Sequence, residues 1–302
     1  MRVAIPLLLA IALHAVQQVP LFRTGVDLVN VGVTVTDRKG NLVTELTADD
    51  FDVYEDGAKQ TVRYFAAGLA GPGSPETHLG LLLDVSESMG EDIAFTKTAA
   101  IKFLNSLLEA TDITVVDFDT EVRATRYSQS DFARVIERIR LQKAKGWTAL
   151  YDAVGVYLDG ADRQDGRKVM LLYTDGGDTR SSMNFSNLID LLKASDVTVY
   201  VVGALEHQSA TTKNEQRMIL QQIADITAGQ AFFPLSVKEL DRVYDKVLAE
   251  IHAQYTLGYV STNQKADGTW RKVEIKLNRK DGRDYKTRAR RGYFAAAHPP
   301  SK

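Results

Sequence analysis

The chain contains no cysteine. That excludes a disulfide framework, a thiolate metal site and a cysteine nucleophile, while by itself it says little about compartment. Histidine is scarce too: there are five in 302 residues, scattered without metal-ligand spacing. Neither sign of charge dominates, and a formal net charge of -2 argues against a nucleic-acid or anionic-membrane partner. The apolar run at the N-terminus, Val3 to Ala15, falls short of the ~20 residues that a spanning helix needs, and Pro6 interrupts it. No transmembrane anchor is therefore expected. G-x-S-x-G, Walker A, G-x-G-x-x-G and H-E-x-x-H are all missing, so no familiar catalytic motif points to an enzyme. Internal repeats and low-complexity segments are absent as well.

What is present begins with Met1 and Arg2, one positive charge ahead of that short apolar run. The pattern predicts a secretory signal peptide over residues 1–18, although Leu13 fits the small-residue rule at the cleavage site imperfectly. Export to the periplasm, the envelope or the exterior follows as an expectation.

From Val26 to Thr36 apolar and polar residues alternate, the mark of a half-buried strand. Phe51 to Tyr54 predicts a second strand, and Gln60 to Phe65 its hairpin partner across Glu55-Asp56-Gly57. A Gly, Pro and Ser-rich linker covers residues 68–78. The grammar then changes. Leu79 to Leu83, Ile113 to Val116, Val169 to Tyr173 and Val197 to Val202 are near-continuous apolar runs, as in strands covered on both faces. Amphipathic helical patterns lie between them, one of which places Ile93, Ala100, Ile101, Leu104 and Leu108 on one face. This predicts an α/β fold, an open and mostly parallel sheet with helices on both faces, over residues 79–252. After His252 the β grammar returns at Tyr255 to Val260, Arg271 to Leu277 and Tyr285 to Tyr293, with a turn at Asp281-Gly282. The two β flanks, 22–67 and 254–294, are each too small to stand alone, so they are expected to pair into one small composite domain, leaving a disordered tail at 295–302.

The stretch Gly80 to Gly90 carries the chemistry. An apolar run stops at Asp84, and oxygen-bearing side chains follow at alternate positions, Asp84, Ser86 and Ser88. Oxygens at the end of a buried strand suit a hard cation such as Mg²⁺; the same residues also suit a helix N-cap. Two later places end comparably: Thr148, in a glycine-containing loop that runs into a helix, and Asp175, after the run Leu171 to Thr174. In an open α/β sheet, ligands bind outside the carboxyl ends of strands.

With these residues together, the sequence resembles the von Willebrand factor type A (vWA) domain and its metal-ion-dependent adhesion site. The family's D-x-S-x-S matches Asp84, Ser86 and Ser88, its loop threonine matches Thr148, and its T-D-G aspartate matches Asp175. Trp147 stands where many relatives carry a second glycine. The flanks look like those of a bacterial secreted vWA-related family. The resemblance implies that the hydroxyls of Ser86, Ser88 and Thr148 bind Mg²⁺ or Mn²⁺ directly, with Asp84 and Asp175 binding it directly or through water. Two carboxylates leave a divalent ion under-neutralised, so an open coordination position would recruit an Asp or Glu from a protein partner. The leading expectation is a secreted or envelope-associated binding module, not an enzyme. Its rivals are a structural envelope protein with a purely stabilising metal and a Mg²⁺-dependent hydrolase or phosphotransferase.

Other residues have plainer readings. Asp117 and Asp119 are expected in turn or surface roles, Asp178 as a loop cap, and Glu87, Glu91 and Asp92 as a solvated acidic rim. The run Lys286 to Arg291 reads as a solvated strand face, and Trp147 as either core or a lip of the binding surface.

Overall fold

The computed structural model describes residues 28–68, 75–106, 110–279 and 284–296. The expected signal peptide, the centre of the linker, Leu108, the Asp281-Gly282 turn and residues 297–302 of the tail lie outside them.

Strand β1 (Leu28–Asp37) buries Val31, Val33 and Val35 on one face, as its alternation requires. Strands β2 (Phe51–Glu55), β3 (Ala58–Gln60) and β4 (Val62–Ala67) follow. The α/β unit comprises β5 (Thr77–Asp84), α1 (Ile93–Ser106), β6 (Asp112–Phe118), β7 (Val122–Ser128), α2 (Phe132–Leu141), α3 (Leu150–Ala161), β8 (Arg167–Thr174), α4 (Phe185–Ala194), β9 (Thr198–Gly203), α5 (Ala210–Ile226), β10 (Gln230–Phe232) and α6 (Val237–Ala253). The chain closes with β11 (Tyr255–Val260), β12 (Trp270–Leu277), β13 (Tyr285–Ala289) and β14 (Gly292–Phe294).

The central sheet has the order β10-β9-β8-β5-β6-β7 and is parallel except for β7, which returns antiparallel to β6. Every residue of β5 and β8 is buried, which explains their unbroken apolar runs. Leu79, Leu81 and Leu83 pack on one face with Ala100, Phe103, Val135, Leu240 and Val247 of α1, α2 and α6. Leu82 and Val116 pack on the other with residues of α3, α4 and α5, among them Leu150, Leu188 and Leu220. β7 was not foreseen. Its sequence VRATRYS is half-exposed at the sheet edge and carries no apolar run to announce it.

The flanks form two four-stranded antiparallel sheets, β13-β1-β11-β4 and β14-β12-β2-β3, facing each other across a shared core. Each sheet combines strands from before and after the α/β unit, so the vWA-like unit is inserted into the sandwich. Two expectations need correction. Gln60 to Phe65 is not one hairpin partner: β3 pairs with β2, and after Thr61 the chain crosses to pair β4 with β11. Tyr285 to Tyr293 is likewise split, with β13 beside β1 and β14 beside β12. Gly292 permits the second switch, because a Cβ there would meet the Arg271 carbonyl oxygen at 2.3 Å.

One guanidinium holds both crossings between the two units. Arg167, at the start of β8, donates to the carbonyls of Ile251, Gly68 and Gln254 at 3.0, 3.1 and 3.2 Å, and to Thr256 Oγ1 at 3.1 Å. Entry and exit also meet directly, Gly68 N donating to Gln254 O at 3.1 Å. The basic run is not a uniformly solvated face: Lys286 is exposed, while Arg288 is half-buried and pairs with the buried Glu250 of α6.

Close approach of backbones sets a first testable expectation. After α5 the chain passes so near β9 that a Cβ on Gly229 would lie 1.7 Å from the Val199 carbonyl oxygen. Neither partner is a flexible side chain, so Gly229→Ala should destabilise the protein by about 3 kcal/mol, the upper end of ordinary overpacking. Urea unfolding would show this as a lower midpoint at unchanged slope; an unchanged midpoint would contradict the packing described.

Candidate metal centre

β5 and β8 are neighbours where the chain reverses its progress across the sheet: β6 and β7 lie to one side, β8, β9 and β10 to the other. Loops leaving such adjacent strands part to opposite faces and open a crevice at the carboxyl ends. Asp84 ends β5 and Asp175 follows β8, so the two carboxylates flank that crevice.

Asp84 is wholly buried. Its Oδ1 accepts from Ser86 N at 3.0 Å and from Ser86 Oγ at 2.6 Å, and its Oδ2 accepts from Thr174 Oγ1 at 2.6 Å. Ser86 is buried and Ser88 exposed, with their hydroxyl oxygens 3.1 Å apart. Because Ser86 gives its proton to Asp84, its oxygen lone pairs remain available as donors to a cation. The loop ahead of α3 is stitched to the same turn, Lys145 N donating to Val85 O at 2.8 Å and Glu87 N to Gly146 O at 3.0 Å. That loop carries the buried Thr148, whose N–H donates to Thr179 Oγ1 at 3.0 Å and whose carbonyl accepts from Thr179 N and Arg180 N at 2.9 Å. Asp175 is also buried; it accepts from Gly177 N at 2.9 Å and from Gln208 Nε2 at 3.0 Å. The five residues singled out in sequence thus sit on three loops that hydrogen bonds hold together.

The surroundings of Asp84 disfavour its charge. Burial first, and then the charge of Asp175, push the Asp84 carboxyl up to about 7, against hydrogen bonds from Ser86 and Thr174 that favour its ionised form. The donors are oxygen only, two carboxylates and three hydroxyls, which suits Mg²⁺ or Mn²⁺ rather than a softer metal. Among the described residues no three His, Cys, Asp or Glu side chains converge on a metal position. An ion here therefore needs the hydroxyls as well as the acids.

Two participants escaped sequence reasoning. Thr174 is fully buried and ties Asp84 to β8, and the only hint was its place just before Asp175. Gln208, beyond the end of β9, secures Asp175, and a lone glutamine in a loop gives no signal. Asp119 does lie in the turn between β6 and β7, its Oδ1 accepting from Glu121 N at 2.9 Å, but neither acid is a surface residue: both are buried and held by Arg123, with Arg138 also on Asp117. Carboxylates already paired to guanidinium groups are poorly placed to serve a cation. Asp178 does cap, accepting from Tyr151 N at 3.2 Å and Ser181 Oγ at 2.6 Å. Trp147 is 65% exposed and so is not core; its backbone N–H donates to Thr120 Oγ1 at 2.9 Å. On the acidic rim, Glu87 and Glu91 are exposed, and His207 lies 3.1 Å from Asp92 and 3.2 Å from Glu91.

The von Willebrand factor type A domain model matches residues 78–246. The chain belongs to that family. Among solved structures it is similar to a von Willebrand factor type A protein from Catenulispora acidiphila, at 13% identity and a TM-score of 0.50, over 91% of this chain and 76% of that one. The pilus adhesin SpaC from Lactobacillus rhamnosus GG, in an open conformation, aligns at 10% identity and a TM-score of 0.49, over 82% of this chain and 48% of SpaC. The vWF domain of the pilus tip protein Mfa5 from Porphyromonas gingivalis aligns at 12% identity and 0.47, covering 59% of this chain and 97% of that domain. At these identities the likeness concerns the fold. No curated protein matches. Among the described residues of this vWA protein, no helix is long and apolar enough to cross a membrane.

Proposed function

We propose that this vWA protein is an exported protein-interaction module that captures an acidic side chain of a partner through a divalent cation. The observation that supports the reading is the crevice between β5 and β8, where the buried Asp84 and Asp175 and the Ser86 and Ser88 hydroxyls lie on loops hydrogen-bonded to the one carrying Thr148, with no basic side chain hydrogen-bonded to either acid among the described residues. Ser86, Ser88 and Thr148 would hold Mg²⁺ or Mn²⁺ through their hydroxyls. Asp84 already accepts hydrogen bonds on both oxygens, which favours its acting through water. The ion would supply an under-neutralised positive charge, to which a partner's Asp or Glu is the natural complement. Trp147 stands exposed beside Thr148 as a rigid apolar lip for the same contact.

The test is capture by the immobilised intact protein from envelope and medium fractions, in Mg²⁺ and in EDTA. A partner retained in Mg²⁺ and released by EDTA, with the melting temperature nearly unchanged, is the expected result. Equal retention in EDTA, or persistence after the partner's interface carboxylates are changed to amides, would refute the mechanism. A large fall in melting temperature without any partner would favour a purely stabilising metal.

A further inference from the structure

The sheet made by β14 and β12 turns its outer face toward α4 and α5, and a cavity of about 860 Å³ lies between them. Strand alternation builds it. Trp270 and Lys272 of β12 and Gly292 and Phe294 of β14 line the cavity, while Val273 and Tyr293 turn inward to the sandwich core. α4 and α5 both begin near the carboxyl end of the sheet and run back, and they contribute residues from their C-terminal halves. The cavity therefore lies toward the end of the molecule away from Asp84 and Asp175.

Its chemistry is two-sided. Leu192 and Ile226 from the helices, with Trp270 and Phe294 from the strands, give an apolar floor on which the two rings meet edge-on at 5.0 Å. Met218 and Phe294 remain 69% and 40% exposed, so apolar surface is left uncovered there. Around this floor stand Lys193, Lys272, Arg290 and Arg291, against Asp225 as the acidic member. Among the described residues, Lys272, Arg290 and Arg291 have no carboxylate in ion-pair range, and Lys193 has only the exposed Asp190 at 3.5 Å. Arg290 donates through Nη2 to Asn30 O at 2.8 Å, but its Nε is buried without a partner. A guanidinium so placed gains from an arriving anion.

We propose that this interdomain cleft is a second binding site, for a small amphiphilic anion with an aliphatic or aromatic body and one carboxylate or phosphate head. Clefts between domains, of about 300–1,000 Å³ and largely apolar with a few converging polar groups, are where small ligands bind.

Trp147 and Trp270 are the two tryptophans of the chain, so in Trp147→Phe the emission reports Trp270 alone. The full-length protein with that change would be titrated in EDTA, below micelle concentrations, with decanoate and with decyl phosphate. At least one should change the Trp270 emission saturably, and the tighter of the two identifies the head group. Decanol and decyltrimethylammonium should bind roughly tenfold or more weakly, a difference of about one decade in Kd. Met218→Glu, at an exposed position where folding is not at risk, should weaken the anion by a similar factor, and Arg291→Gln should weaken it several-fold. No saturable change with either anion, an equal response to the cationic analogue, or an unaltered Kd in Met218→Glu would overturn the proposal. Because EDTA is present throughout, failure here is distinguishable from failure at the metal centre.

Discussion

A fragment ending at His252 should lose protected structure in β1, β2 and β4 and aggregate, even though all three strands are intact in its sequence. β4 has β11 as its neighbour, β1 lies between β11 and β13, and β2 pairs with β12. Cutting at His252 removes Tyr255, Leu257, Tyr259, Val273 and Ile275 from the shared core. At about 2 kcal/mol for each large apolar side chain the loss is roughly 10 kcal/mol, comparable to the whole stability of an ordinary domain. The buried Glu55 fares badly as well, because Tyr259, Ser261 and Tyr293, whose hydroxyls it accepts from, all go. A buried carboxyl group stripped of its hydrogen-bond donors is strongly destabilising. What remains would expose unpaired strand edges, the usual route to aggregation. Hydrogen exchange decides the matter: fast exchange throughout residues 28–67 is expected, and native-like protection there would contradict the composite sandwich.

Replacing Asp84 should abolish cation binding, and the two obvious replacements should part company in stability. Asp84→Asn keeps the shape and one acceptor oxygen while removing a buried charge that faces Asp175, so in EDTA its melting temperature should lie above that of Asp84→Ala. Asp84→Ala instead leaves Ser86 Oγ and Thr174 Oγ1 without their acceptor, at a cost of about 2–3 kcal/mol. Full burial of Asp84 thus makes the alanine variant a less neutral probe than a site at the surface end of a strand would suggest. Both variants should lose Mn²⁺ affinity by roughly a hundredfold or more, about 2.7 kcal/mol. Thermal melts in EDTA beside calorimetric titrations separate the two effects. Unchanged affinity in Asp84→Asn would remove Asp84 from the site.

The architecture was largely legible because burial on both faces writes itself into sequence. Leu79 to Leu83 and Val169 to Tyr173 admit no other reading than central strands, and Asp84, Ser86, Thr148 and Asp175 then fall at strand ends and loops by position. What was not legible follows physical causes of a different kind. β7 is polar because an edge strand need bury little. The switches at Thr61 and before Gly292 depend on which strand lies opposite, and local pattern does not record that. Arg123 and Arg138 convert Asp117 and Asp119 from apparent surface acids into buried ion pairs, a partnership across 4 to 21 positions that spacing alone does not announce. Thr174 and Gln208 act by holding other side chains, so their roles exist only in three dimensions.

The central claim is that Asp84, Ser86, Ser88, Thr148 and Asp175 hold one divalent ion with a coordination position left for a carboxylate. Titration of the intact protein with Mn²⁺, followed by water-proton relaxation, tests both halves at once. The account predicts saturation at one ion per chain, an enhanced relaxation rate from exchangeable water on the bound ion, competition by Mg²⁺, and a fall in that rate when acetate is added as a carboxylate mimic. Absence of a saturable site, or full binding retained in Asp84→Asn, would contradict it.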